Sequence, residues 1–238
     1  MLIRLRYCPR IILGMIFLIL LFAEIAMLFL LSRTMSKTLS GFLSINLLSL
    51  VFLPGIIIHE LAHLFMATIL FVPVGEMEFV PRKSAHGAKL GSVEIADTDP
   101  IRRAMIGFAP VFAGIALIVG AVYFFSSNIL FFQNNNPYVF IAVSLALVYL
   151  LFAVSNTMFS SSKDMEGTVE ILITLLIIFG AAYILGFRSP LAYLEKILTK
   201  EFFGIIQKST IFLLAPIILD LSILGIIKLF TGSRNQRF

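Results

Sequence analysis

Apolar residues dominate this chain in long unbroken runs. Stretches long enough to cross a bilayer, about 20 residues, lie near 11–31, 42–71, 101–126, 138–160, 168–187 and 209–231. The pattern predicts an all-α membrane protein of about six transmembrane helices, folded as one polytopic domain over 1–238. Pro54–Gly55 interrupts the second run, where a looser helix lets backbone approach. The only sizeable polar connection is 72–100. Within it GEMEFV (Gly75 to Val80) and KLGSVEIA (Lys89 to Ala96) partly alternate apolar and polar residues, which predicts a short β-hairpin between spans two and three. Such a hairpin either offers an edge to an extended peptide or is a plain surface feature; the pattern leaves both open. His86, at the expected turn, reads as a solvated loop residue. SNILFFQNNNP, 127–137, carries no charge and reads as a loop on the outer face. Leu191 to Lys208 places apolar residues at helical spacing with lysines between, and is expected to lie along the outer membrane surface. There is no internal repeat and no low-complexity tract.

Composition fits that picture. The 238 residues are 60% hydrophobic, above the roughly 45–50% of soluble domains, and the mean hydropathy is +1.04. Charged residues make up 13%, which leaves no room for a soluble domain of useful size. The first apolar run is too long for a signal peptide and lacks a clear small-x-small cleavage site, so it reads as a retained span. Glu24 within it reads as facing other helices. The single Cys8 excludes an internal disulfide. A net charge of +5 reports topology first, since no basic groove interleaved with aromatics calls for nucleic acid. With a cytoplasmic N-terminus the inner side holds Arg4, Arg6, Arg10, Arg82, Lys83, Lys89, Arg102, Arg103, Lys163, Lys228, Arg234 and Arg237. The outer side holds Arg33, Lys37, Arg188, Lys196, Lys200 and Lys208, so the bias is 12 to 6 of the 18 basic residues. The positive-inside rule then puts both termini and the hairpin in the cytoplasm.

The second run carries chemistry. PGIIIHELAHLFMATIL holds His59, Glu60 and His63 inside an apolar stretch. An ionisable side chain at the centre of a span costs about 2.5–3.5 kcal/mol on insertion scales for Asp, Lys or Arg, so such groups tend to persist for a function. On a helix advancing about 100° per residue, His59 and His63 lie about 40° apart, one turn along the same face. Two imidazoles so placed can bind one zinc ion, and Glu60 can reach water at that ion. Catalytic zinc takes three protein ligands and leaves one position open. The acids available near a span are Asp164, Glu166 and Glu170 after the fourth run, Asp220 in the last, and Asp97 and Asp99 ahead of the third. Asp164 enters at the inner end of span four, level with the inner half of a histidine helix running from outside to inside.

HELAH in an early span, with Asn156 followed eight residues later by Asp164 in a later one, resembles the site-2 protease family of intramembrane metalloproteases. The resemblance covers spans two to four, roughly 42–167, which form the catalytic core in that family, with a hairpin between the first two. It implies Zn2+ held by His59, His63 and Asp164, Glu60 as general base, and Asn156 holding substrate backbone. Glu166 is the alternative third ligand. The chain departs from the family where Met165 follows Asp164 in place of Gly, and where FAPVFAG puts Ala109 before Pro110 and Ala113 three residues after it.

The expectation is therefore a zinc metalloendopeptidase that cuts transmembrane segments of membrane-protein substrates within the lipid bilayer. The alternative is a non-catalytic membrane protein of the same fold that binds other transmembrane helices. A metal-ion transporter needs further polar residues along a path across the bilayer, and only Glu24 and Asp220 stand outside the cluster. The sequence leaves the oligomeric state open.

Overall fold

The computed structural model describes residues 2–78, 82–84, 87–89, 91–159, 174, 177, 181, 184, 185 and 199–232. Asp164, Glu166, Glu170, His86, most of the fifth expected span (168–187) and residues 191–198 of the expected surface segment (191–208) lie outside them. The helices are α1 (Leu2–Ser40), α2 (Ile45–Ile69), α3 (Pro100–Ser127), α4 (Ile129–Asn135), α5 (Pro137–Thr157) and α6 (Lys200–Gly232). Between α2 and α3 lie β1 (Val74–Glu78), β2 (Arg82–Ser84), β3 (Gly87–Lys89) and β4 (Ser92–Ile95). Among the described residues, five helices are long and apolar enough to cross a membrane: Ile16–Ser40, Ile45–Ile69, Pro100–Ser127, Pro137–Thr157 and Glu201–Phe230. Their outer faces expose large apolar side chains such as Phe22, Phe65, Leu145 and Ile218, as a lipid solvent requires. The chain is an integral multi-pass membrane protein, mostly helical, with a small antiparallel sheet.

Local chemistry sets the helix ends near the site. Ser44 caps α2, its hydroxyl accepting the Leu47 N–H at 3.4 Å. At the other end Phe71 takes a left-handed backbone (φ 55°). The Val72 N–H then returns to the Ala67 carbonyl at 2.9 Å and the Phe71 N–H to that of Thr68 at 3.1 Å, a helix stop in which Val72 packs beside Ala67. That turn sends the chain into β1. Asp99 caps α3, accepting the N–H groups of Ile101 at 3.1 Å and Arg102 at 3.0 Å, with Pro100 in the first turn. The Arg102 N–H holds the Asp99 carboxyl below its usual range, aided by the Arg102 charge.

β1 and β4 pair antiparallel with a bulge between Val74 and Met77, matching Val74 to Ile95 and Glu78 to Ser92. A second ladder pairs Arg82 with Lys89 and Ser84 with Gly87. The expected hairpin is thus two short ladders in series. Val74 and Ile95 pack on Ala67, Val72 and Ile106, which pins the sheet to the end of α2 and the start of α3.

The main core is formed by α1, α3, α5 and α6 through Leu28, Leu31, Val111, Ile118, Leu151, Val154, Met158, Leu213 and Ile217. α2 lies against α3 and α5. It touches α5 so closely that a methyl group at Gly55 collides with Thr157 Oγ1 and the Ala153 carbonyl oxygen. Gly55 therefore admits a neighbouring helix, as small residues do in membrane bundles, and α2 runs unbroken through Pro54.

Two local expectations change. The stretch 127–137 is not all loop: Ile129–Asn135 forms α4, with Phe132 stacked on Phe125. Residues 200–208 do not end a separate surface helix but run straight into the last span, because no breaker separates Lys208 from Ser209.

Candidate metal centre

The inward face of α2 reads Phe52, Gly55, Ile56, His59, Glu60, His63 and Ala67, all buried. This is the i, i+3, i+4 stripe of a helix packed on neighbours. His59, Glu60 and His63 are 5, 6 and 5% exposed, so the three ionisable groups turn away from lipid. The two imidazoles meet edge to face, with ring centres 4.7 Å apart. Their Nε2 atoms are 3.2 Å apart.

A contact from α3 fixes one ring. His63 Nδ1 lies 2.9 Å from the Ile106 carbonyl oxygen. A carbonyl only accepts, so Nδ1 carries the proton and donates it. The Nε2 atom of a neutral His63 then presents its lone pair toward His59. A backbone carbonyl holding the far nitrogen of a histidine is the usual support of a metal ligand. Two nitrogens at about 2.0–2.1 Å from one tetrahedral zinc ion stand about 3.3–3.4 Å from each other. The 3.2 Å separation is a hydrogen-bond contact in which His59 Nε2–H donates to His63 Nε2, and it is close enough to that spacing for the pair to take one ion in place of the shared proton.

Glu60 sits between the histidines in sequence and faces the sheet. Gly91, immediately ahead of β4, lies over it: a methyl there falls 2.7 Å from Glu60 Oε1 and 2.9 Å from Ile56 Cγ2. A glycine here lets the strand backbone lie against the Glu60 carboxylate without displacing it.

Asn156 lies in the last turn of α5, 4% exposed. Its amide nitrogen donates to Asp220 Oδ1 on α6 at 2.9 Å and to the Phe152 carbonyl at 2.9 Å. Ser155 donates to Asp220 Oδ2 at 3.4 Å and to the Phe152 carbonyl at 3.2 Å. The Phe152 carbonyl cannot donate, so it orients the Asn156 amide. That leaves Asn156 Oδ1 buried with no hydrogen-bond partner among the described residues. Its neighbour Thr157 faces α2 at Gly55, one turn before His59.

The structure thus brings His59, Glu60 and His63 together on one buried face and puts Asn156 on the adjoining helix, tied to Asp220. Asp164 and Glu166 lie outside the described residues. Among the described residues no group of three or more His, Cys, Asp and Glu side chains is arranged to hold a metal ion. Sequence reasoning missed the Ile106 carbonyl, Gly91 and the pairing of Asp220. For Asp220 a signal existed, since a lone acid in an apolar run needs a partner; nothing in the pattern named Asn156, 64 residues away. No family model, curated protein or solved structure matches the chain.

Proposed function

We propose that the chain is an intramembrane zinc metalloprotease, of the kind the site-2 proteases exemplify, that hydrolyses peptide bonds in or near transmembrane segments of other membrane proteins. The observation that carries this reading is the histidine pair: two buried Nε2 atoms 3.2 Å apart, with Glu60 buried alongside, in a helix fit to cross a membrane. His59 and His63 would hold the ion, with Asp164 as the third ligand and Glu166 as its alternative. The chemistry a zinc ion contributes when bound is Lewis acidity, which polarises a peptide carbonyl and acidifies water. Glu60 takes the proton of the attacking water and returns it to the departing amine.

A peptide bond inside a helix hides its carbonyl in the backbone ladder, so the substrate unwinds before attack. The backbone at Gly91, close against Glu60, is placed to pair with the unwound segment by strand addition. Asn156 Oδ1, buried and without a hydrogen-bond partner among the described residues, would accept a substrate N–H. The basic-residue bias orients both termini and the sheet toward the cytoplasm.

The test is Glu60→Gln, assayed on a transmembrane reporter in proteoliposomes. The variant keeps the side-chain shape and loses the base. The expected result is wild-type zinc content with cleavage reduced by about 10²-fold or more. Undiminished cleavage defeats the assigned role.

A further inference from the structure

We infer that Pro110 is a positioning residue for the histidine pair: lacking an N–H, it leaves the Ile106 carbonyl to His63 and so fixes which His63 nitrogen faces His59. In an α-helix the N–H of residue i bonds the carbonyl of residue i−4. Residue 110 is therefore the one whose N–H would return to Ile106, and proline has none. α3 runs through Pro110 without ending, and the ring is fully buried. A proline inside a membrane helix persists where a neighbouring helix satisfies the freed backbone group. Here that group accepts His63 Nδ1 from α2 at 2.9 Å.

The consequence is a single tautomer. With the proton held on Nδ1, a neutral imidazole has its lone pair on Nε2, the atom that stands 3.2 Å from His59 Nε2. Ile106 is itself buried beneath the sheet with Ala67 and Val72, so the acceptor is held by packing on three elements. Alanine at 110 restores an N–H that competes for the Ile106 carbonyl inside α3. The consequence for metal affinity rests on the proposed metal centre, whereas the tautomer does not.

The experiment uses the full chain in detergent, metal-free and 15N-labelled at histidine. The sequence has three histidines, and His86→Gln reduces the spectrum to the pair. In the wild type His63 is expected as the Nδ1–H tautomer. Pro110→Ala is expected to mix the tautomers and to weaken zinc binding by about 10- to 100-fold, the usual cost of losing such a support. Pro216→Ala, which removes a buried proline from α6, is expected to leave both readouts unchanged. An Nε2–H tautomer at His63 in the wild type overturns the inference, as does Pro110→Ala with the wild-type tautomer, whatever its zinc affinity. If Pro110→Ala does not fold, Pro110→Gly restores the same N–H without a side chain and is read in the same way. A wild type that binds no zinc removes the metal centre while the tautomer arms continue to test Pro110.

Discussion

Gly55→Ala tests whether the close approach of α2 and α5 governs the site. A Cβ at residue 55 falls 2.8 Å from the Ala153 carbonyl carbon, and ordinary contact begins at 3.4 Å. The Ala153 carbonyl oxygen is nearer still, so the two helices must move apart by about 1 Å, since that obstacle is backbone and interiors are close-packed. Overpacking of this sort costs about 1–3 kcal/mol. Replacing a helical glycine by alanine returns about 1 kcal/mol. Because the clash is with backbone, the cost lies at the upper end and the net is about 1–2 kcal/mol of destabilisation. At about 2–4 °C per kcal/mol for a chain of this size, the melting temperature falls by about 2–8 °C. The functional effect is larger. His59 and His63 share α2, so their own spacing survives, but the registry of α2 against the end of α5 does not. Misplacement on the order of 1 Å costs about 10²-fold in rate. The assay pairs helical circular dichroism melting in detergent with cleavage of the transmembrane reporter, at matched zinc content. A Gly55→Ala protein that melts and cleaves like the wild type refutes the argument that this contact sets the geometry.

Asp220→Ala should lower the melting temperature through a loss of about 1–3 kcal/mol. It stops short of a full orphaning penalty because Asn156 and Ser155 both retain the Phe152 carbonyl; Asp220→Asn should fall between that and wild type, and an unchanged melt for Asp220→Ala would show the α5–α6 link to be idle. Gly91→Ala should leave zinc content intact while reducing cleavage at least about tenfold, because its Cβ displaces either the Glu60 carboxylate or the strand; parallel measurement of zinc and cleavage checks it, and equal loss of both would point to misfolding instead.

The inward histidine face was legible because helical periodicity alone puts residues four apart on one side, and burial of His59, Glu60 and His63 follows from their cost in lipid. The sheet was legible in outline from alternation, yet its bulge and second ladder depend on packing against Ala67 and Ile106 that no local pattern encodes. Leu191 to Lys208 reads as an interfacial helix because lysines break its apolar face. Continuity with the last span is a backbone property that side-chain polarity does not report. Pro54–Gly55 was visible as a weak point, but its use is different: the glycine makes room for α5. The partners of Asn156 and His63 stayed hidden because Asp220 and the Ile106 carbonyl are remote in sequence, and a carbonyl leaves no mark in a residue pattern.

Zinc counted per chain by elemental analysis of detergent-purified protein, in wild type, His59→Ala and His63→Ala, decides whether the metal centre exists. The paired imidazoles predict about one zinc per wild-type chain and near zero in both variants. Equal metal content in all three, or none in the wild type after zinc loading, contradicts a metal centre built on this face of α2.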